Sequence, residues 1–82
     1  EQIHKLTKNF LEIVKARLII ESKDFLDDPV LICEVKNKYS IQEEDIKVFF
    51  KSQFKLNIRV KFVKEGDIAN DGIIIEDKRN KN

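Results

Sequence analysis

The sequence predicts an α+β fold, a two-layer sandwich in which a small mixed β-sheet carries two helices, in the order αββαβ with a short terminal strand. Three observations predict it. Residues 39–64 change hydrophobic period without a break: Ile46, Phe49, Phe50 and Phe54 line one helical face, and from Leu56 the period falls to two. A wholly apolar run, Val30-Leu31-Ile32-Cys33, has the composition of a strand buried on both faces, and so central in its sheet. The polar stretch before that run is too short for a parallel crossover, which makes the two strands it joins antiparallel neighbours.

Taken in order, residues 2–14 read as the first helix. Ile3, Leu6, Phe10 and Ile13 make a narrow apolar stripe, with Lys5, Lys8, Glu12 and Lys15 on the other side. Around Val14 the pattern blurs. Val14, Ala16, Leu18 and Ile20 then alternate with Lys15, Arg17 and Glu21, so a strand is expected over residues 16–22. Residues 23–29 form the turn region, because Asp24, Asp27, Asp28 and Pro29 break regular structure and start turns. Residues 30–36 are the second strand. Ser40 followed three residues later by Glu43 has the spacing of a capping box, in which the two side chains satisfy free amides at a helix start. Beyond that helix Leu56, Ile58, Val60 and Phe62 point one way and Asn57, Arg59 and Lys61 the other, a strand with one buried and one wet face. Glu65-Gly66-Asp67 and Asn70-Asp71-Gly72 are turn signals, and residues 73–75, three isoleucines, are a short strand. The charged tail, 76–82, is expected to fray unless a partner holds it.

Eighty-two residues suffice for one small domain, 1–82, near the lower limit for a chain with its own core. Charged residues at 38% give a well-solvated surface, and a net charge of +1 argues against a dedicated nucleic-acid binder, which carries a basic excess on one face. The single Cys33 excludes an internal disulfide framework and a zinc cluster, and makes a cytoplasmic setting the default. No apolar run approaches the roughly 20 residues of a membrane helix, and no signal-peptide pattern is present. A chain that begins at Glu1 and contains no methionine reads as a piece of a longer protein.

Candidate chemistry is sparse. His4, the only imidazole, has no nucleophile or carboxylate at a telling spacing and reads as a surface residue. Cys33, inside an apolar strand, reads as an inert packed thiol. Asp24, Asp27 and Asp28 lack the alternate-position spacing and the glycine of a calcium loop, so turn formation accounts for them. Glu43, Glu44 and Asp45 complement the dipole at the start of the second helix. Lys47, Lys51 and Lys55 recur every four residues, and Arg59 and Lys61 continue on the exposed strand face; without interleaved aromatics they read as a solvated face. Gly66 and Gly72 are the only glycines, so no glycine-rich phosphate loop exists. From these residues no catalytic or metal-binding residue is expected in this chain, and cofactor-binding residues stay unassigned.

Several stretches carry a resemblance. Gln2-Ile3-His4 opens the first helix; Leu26-Asp27-Asp28-Pro29-Val30 and Cys33-Glu34-Val35 form the hairpin; Leu56-Asn57-Ile58-Arg59-Val60-Lys61-Phe62-Val63 is followed by Gly66-Asp67-Ile68; Glu76-Asp77-Lys78-Arg79 closes the chain. Together they resemble the small C-terminal domain of adenylate-forming acid–CoA ligases, in the phenylacetate–CoA ligase branch. That family opens this domain with Gln-Ile-Glu, where His4 replaces the Glu, ends the second hairpin strand in Val-Glu, and closes on Asp-x-Arg. It also carries a Gly-Lys in the last loop, the lysine meeting carboxylate and phosphate during adenylation. Here Gly72 is followed by Ile73, Lys78 is not a positional match, and Ala69 or Asn70 stands where the family has a turn proline.

The resemblance implies a mobile lid on a large N-terminal adenylation domain of the same chain. ATP, magnesium, CoA and a small carboxylic acid would bind mainly to that domain, and the 82-residue piece alone would not turn over substrate. The missing lysine implies weak or altered adenylation unless another cation stabilises the developing charge. Two rival readings stand beside it. One is a non-enzymatic ferredoxin-like binding or regulatory module using Arg59, Lys61 and the basic tail; the other is an oligomerising domain.

Overall fold

The computed structural model describes residues 2–36 and 41–79. The elements run α1 (Gln2–Asn9), β1 (Ile13–Lys23), β2 (Leu26–Val35), α2 (Glu43–Phe54), β3 (Arg59–Lys64) and β4 (Ile75–Asp77). The four strands form one mixed sheet in the order β3-β2-β1-β4, with β1 and β2 antiparallel, β3 parallel to β2 and β4 parallel to β1. The α+β class, the mixed sheet and the central position of the second strand are as the sequence predicts.

Both helices lie on one face. Leu6 of α1 and Ile46 and Phe50 of α2 share a single core with Ala16 and Leu18 of β1 and Leu31, Cys33 and Val35 of β2. Fully burying a side chain such as Leu31 or Phe50 contributes about 1.5–3 kcal/mol, so this layer dominates stability. Phe10 and Phe49 meet edge to face at 5.6 Å, and Phe50 and Phe54 at 4.9 Å, which ties α2 together and to the end of α1.

The first helix is shorter than its apolar stripe implies. It ends at Asn9, where the Phe10 amide donates to Leu6 O and the Asn9 side chain donates to Lys5 O. Ile13 belongs to β1, which starts three residues before the expected boundary. Phe10 and Ile13 still pack on the core, so helical spacing and core burial agree there while the backbone does not. The blur at Val14 has a physical cause. The β1–β2 register shifts between Ile13 and Lys15, a bulge that leaves Val14 unpaired and exposed. The extra residue puts Ile13 and Ala16 on the core face and turns Lys15 and Arg17 to the opposite one.

The hairpin turn is tighter than residues 23–29. Only Asp24 and Phe25 lie between the strands, with φ of 52° and 68°, the signature of a two-residue type I′ connection. Asp27, Asp28 and Pro29 are in β2, paired with Ser22, Glu21 and Ile20. Pro29 sits just before the ladder to β3 begins at Val30, a place where a strand can lack an amide.

Ser40 lies outside the described residues, but α2 begins at Glu43 behind Gln42, whose side chain makes no cap hydrogen bond. Glu43 is therefore the first helical residue, and the expected capping box, which needs Ser40, lies outside the described residues. Glu43, Glu44 and Asp45 sit in the first turn as expected, and Lys55 ends the helix in the left-handed conformation with its amide on Lys51 O at 3.1 Å. Leu56 and Ile58 precede β3 rather than belonging to it, yet Ile58 joins the core and Arg59 and Lys61 are exposed, as the alternation predicts. The terminal strand is displaced two residues, to Ile75–Asp77: the Ile73 carbonyl is taken by the Arg17 side chain, and pairing with β1 begins where the Leu18 amide donates to Ile74 O. The tail does not fray at its start. Lys78 N donates to Ile20 O at 2.7 Å, and Arg79 pairs with both Asp77 and Asp27.

Candidate functional site

The sheet face opposite the helices is where polar chemistry collects. Cross-strand register places Lys15, Arg17 and Ile19 of β1 beside Val30, Ile32 and Glu34 of β2, and these beside Arg59, Lys61 and Val63 of β3. β3 and β4 are the two edges of the sheet, so the chain between them, residues 65–74, crosses this open face.

Three side chains hold that loop. Glu34 is buried at 4% exposure, the one buried charged residue among those described, and both its oxygens accept backbone amides: Gly66 at 3.1 Å and Ile68 at 2.8 Å. Lys15 Nζ donates to Ala69 O at 2.7 Å and to Asn70 Oδ1 at 2.9 Å. Arg17 donates from Nε to Ile73 O at 3.1 Å and from its terminal nitrogen to the Asp71 carboxylate. Ile68 is buried beneath the loop, apart from the helix-side core. Lys15, Glu34, Gly66, Ile68, Ala69 and Asn70 enclose a cleft of about 330 Å³.

The loop's own conformation supports this placement. Gly66 and Gly72 adopt φ of 91° and 77°, which residues with a Cβ rarely tolerate, so both turns need glycine. The Asp71 carboxyl accepts the Ile73 amide and faces Arg17; the amide first and the guanidinium second hold it below its ordinary value of 3.8. The sheet edge carries a second pair. Arg59 meets Asp28 through two parallel bonds of 3.0 and 2.7 Å, which lowers the Asp28 carboxyl.

Sequence reasoning singled out other residues, and the structure disperses them. The His4 side chain lies outside the described residues. Cys33 is fully buried, and desolvation pushes its thiol up to about 12, so it is inert. Asp24, Asp27 and Asp28 do not converge: Asp27 faces Arg79, Asp28 faces Arg59 and Asp24 stays in the turn. Lys47 pairs with Glu43 one turn away. Lys78 lies 4.0 Å from Glu76. Lys15, Arg17 and Glu34 were not singled out. Glu34 has a signal, a carboxylate set between the apolar run of residues 30–33 and Val35 at the buried end of β2. Lys15 and Arg17 had none beyond alternation, since a solvated lysine and a loop-holding one look alike in sequence.

His, Cys, Asp and Glu form no group able to hold a metal ion among the described residues, and no described helix is long and apolar enough to cross a membrane. No family model and no curated protein matches the sequence. Among solved structures, the chain is similar to a domain of phenylacetate–coenzyme A ligase from Bacteroides vulgatus, with a TM-score of 0.83 and 18% identity, over 99% of this chain and 84% of that one. At that identity the likeness speaks for the backbone and not for the site. The chain has the fold of a domain of phenylacetate–coenzyme A ligase.

Proposed function

We propose that this chain is the C-terminal lid domain of an adenylate-forming acid–CoA ligase of the phenylacetate type. The observation that carries the reading is the match of the whole chain, helices and mixed sheet together, to a domain of such a ligase. A second feature supports it: a loop without secondary structure of its own is fixed across a sheet by three charged side chains, as a surface presented to a neighbour requires. In this reading the large N-terminal domain of the same protein binds ATP, magnesium, CoA and the small carboxylic acid. The 82 residues alone do not turn over substrate.

The residues present do not by themselves fit a nucleotide phosphate. Residues 66–74 contain no lysine or arginine, and the cations beside them, Lys15 and Arg17, are committed to loop carbonyls and to Asp71. No chemical step is therefore assigned to this chain, and its role is to cover and position. Pyrophosphate exchange dependent on an aryl or acyl acid, measured on the parent protein, tests the reading. Exchange with some member of a broad acid panel is expected, and its complete absence contradicts the ligase assignment.

The lack of a loop cation favours a second reading, a non-enzymatic binding or regulatory module that keeps the fold and not the chemistry. Under it the parent protein binds nucleotide or acid without exchanging pyrophosphate.

A further inference from the structure

The segment that crosses the open sheet face is bounded by backbone bonds and held between them by side chains. The Asp67 amide on Lys64 O at 3.2 Å closes the turn that leaves β3, and the Leu18 amide on Ile74 O at 2.9 Å begins the pairing of β4. Among the described residues no backbone bond joins 68–73 to a strand. Gly66 and Gly72 stand near its two ends. Beyond the chain neighbours nothing lies within 4 Å of where a Cβ would sit at either, so it is their positive φ and not close packing that calls for glycine. Two such residues bracketing a short exposed segment are suited to act as pivots. Of residues 65–74 only Ile68 is buried, and the cleft of about 330 Å³ beside it leaves the segment incompletely packed on the sheet.

The bonds that hold this segment are linked end to end. Glu34 accepts the Ile68 amide, and the Ile68 carbonyl lies 3.4 Å from Lys15 Nζ. Lys15 also reaches Ala69 O, and Arg17 donates to that same carbonyl at 3.3 Å. Arg17 takes the Asp71 carboxylate as well, which in turn accepts the Ile73 amide. Each anchor thus shares a residue with the next, and a segment swinging about its glycines breaks them together. Only one apolar side chain, Ile68, resists that motion, whereas the strands and helices are fixed by the whole helix-side core. Opening also changes the charge of the face. Arg17 and Lys61 lie in one cross-strand row through Ile32, so a segment that lifts away carries Asp67 and Asp71 off a face where Lys15 and Arg17 are left uncovered.

We propose that residues 66–72 form a hinged flap that opens and closes as one unit over the sheet while the described strands and helices stay folded. The test is hydrogen exchange of the 82-residue chain, followed by NMR at increasing sub-denaturing urea. The Gly66 and Ile68 amides should be protected about tenfold or more below the Leu18 amide, which lies within the sheet. Their exchange should also depend little on urea, because lifting a flap uncovers little surface, while Leu18 should show the full dependence of global unfolding. Arg17→Met should speed exchange at Gly66 and Ile68 by about tenfold, although Arg17 bonds to neither amide. Glu34→Gln should speed exchange of the Arg17 Nε–H, which donates to Ile73 O at the far end of the flap. An Ile68 amide with the protection and urea dependence of Leu18 overturns the proposal, since the segment then opens only when the fold does. Variant effects confined to groups whose own partner was removed overturn it too, since the anchors then act as separate pins. The wild-type urea series stands without any variant, so a substituted chain that fails to fold does not shelter the proposal.

Discussion

In a strand whose neighbouring residues Leu31, Cys33 and Val35 are buried in the core, Glu34 points the other way and spends both oxygens on loop amides. Removing that carboxylate leaves the buried Ile68 amide without an acceptor, a loss of about 1–3 kcal/mol. Glu34→Ala should therefore lower the urea midpoint and speed hydrogen exchange at Ile68; an unchanged exchange rate would show that something else holds the loop. Phe25 behaves in the opposite sense. Replacing it by glycine relieves the left-handed conformation and should raise stability by about 1 kcal/mol, read by thermal melting. A lower melting temperature would mean that the ring has packing partners in the folded chain.

The loop is the element whose stability depends on pH. The Asp71 carboxyl is held below its ordinary 3.8 by the Ile73 amide and then by Arg17, so its contribution is complete above the ordinary value. It is lost as pH falls from about 3.8 through the lowered value. Loop amides should lose exchange protection in that window ahead of core amides, and Asp71→Asn should remove that part of the pH dependence. An Asp71→Asn chain with the same acid profile would assign the effect elsewhere, Asp28 with Arg59 being another lowered carboxyl. On the helix side, Phe50→Ala empties a fully buried site in α2 and should cost about 3–5 kcal/mol by urea unfolding. A cost below about 1 kcal/mol would deny α2 its place in the core.

At this scale the sequence is readable where periodicity and burial coincide. The run Val30-Leu31-Ile32-Cys33 identifies the central strand, and Ile46 and Phe50 identify the buried face of α2. Element ends are less legible. Phe10 and Ile13 keep helical spacing while the chain turns between them, and one bulge at Val14 exchanges the faces of everything after it. Asp-Phe at a two-residue turn defeats composition rules that expect Asn-Gly or Asp-Gly. The loop anchors are illegible for a different reason: Lys15, Arg17 and Glu34 acquire meaning only once residues 66–74 lie across them, contacts 32 to 56 residues away in the chain.

For the whole molecule, one layer of helices covers one sheet face and a pinned loop covers part of the other, leaving a small body with a projecting arm. The fold matches that of a domain of phenylacetate–coenzyme A ligase over 99% of this chain, and the lid role proposed for it is the central claim. The measurement that tests this most directly is ATP-dependent thioester formation by the full-length parent protein, with and without these 82 residues. The account predicts acyl-CoA product from the intact protein, none from the isolated domain, and loss of product when the domain is deleted. Full thioester formation by the deleted protein, or none by the intact one with any acid tried, would contradict it.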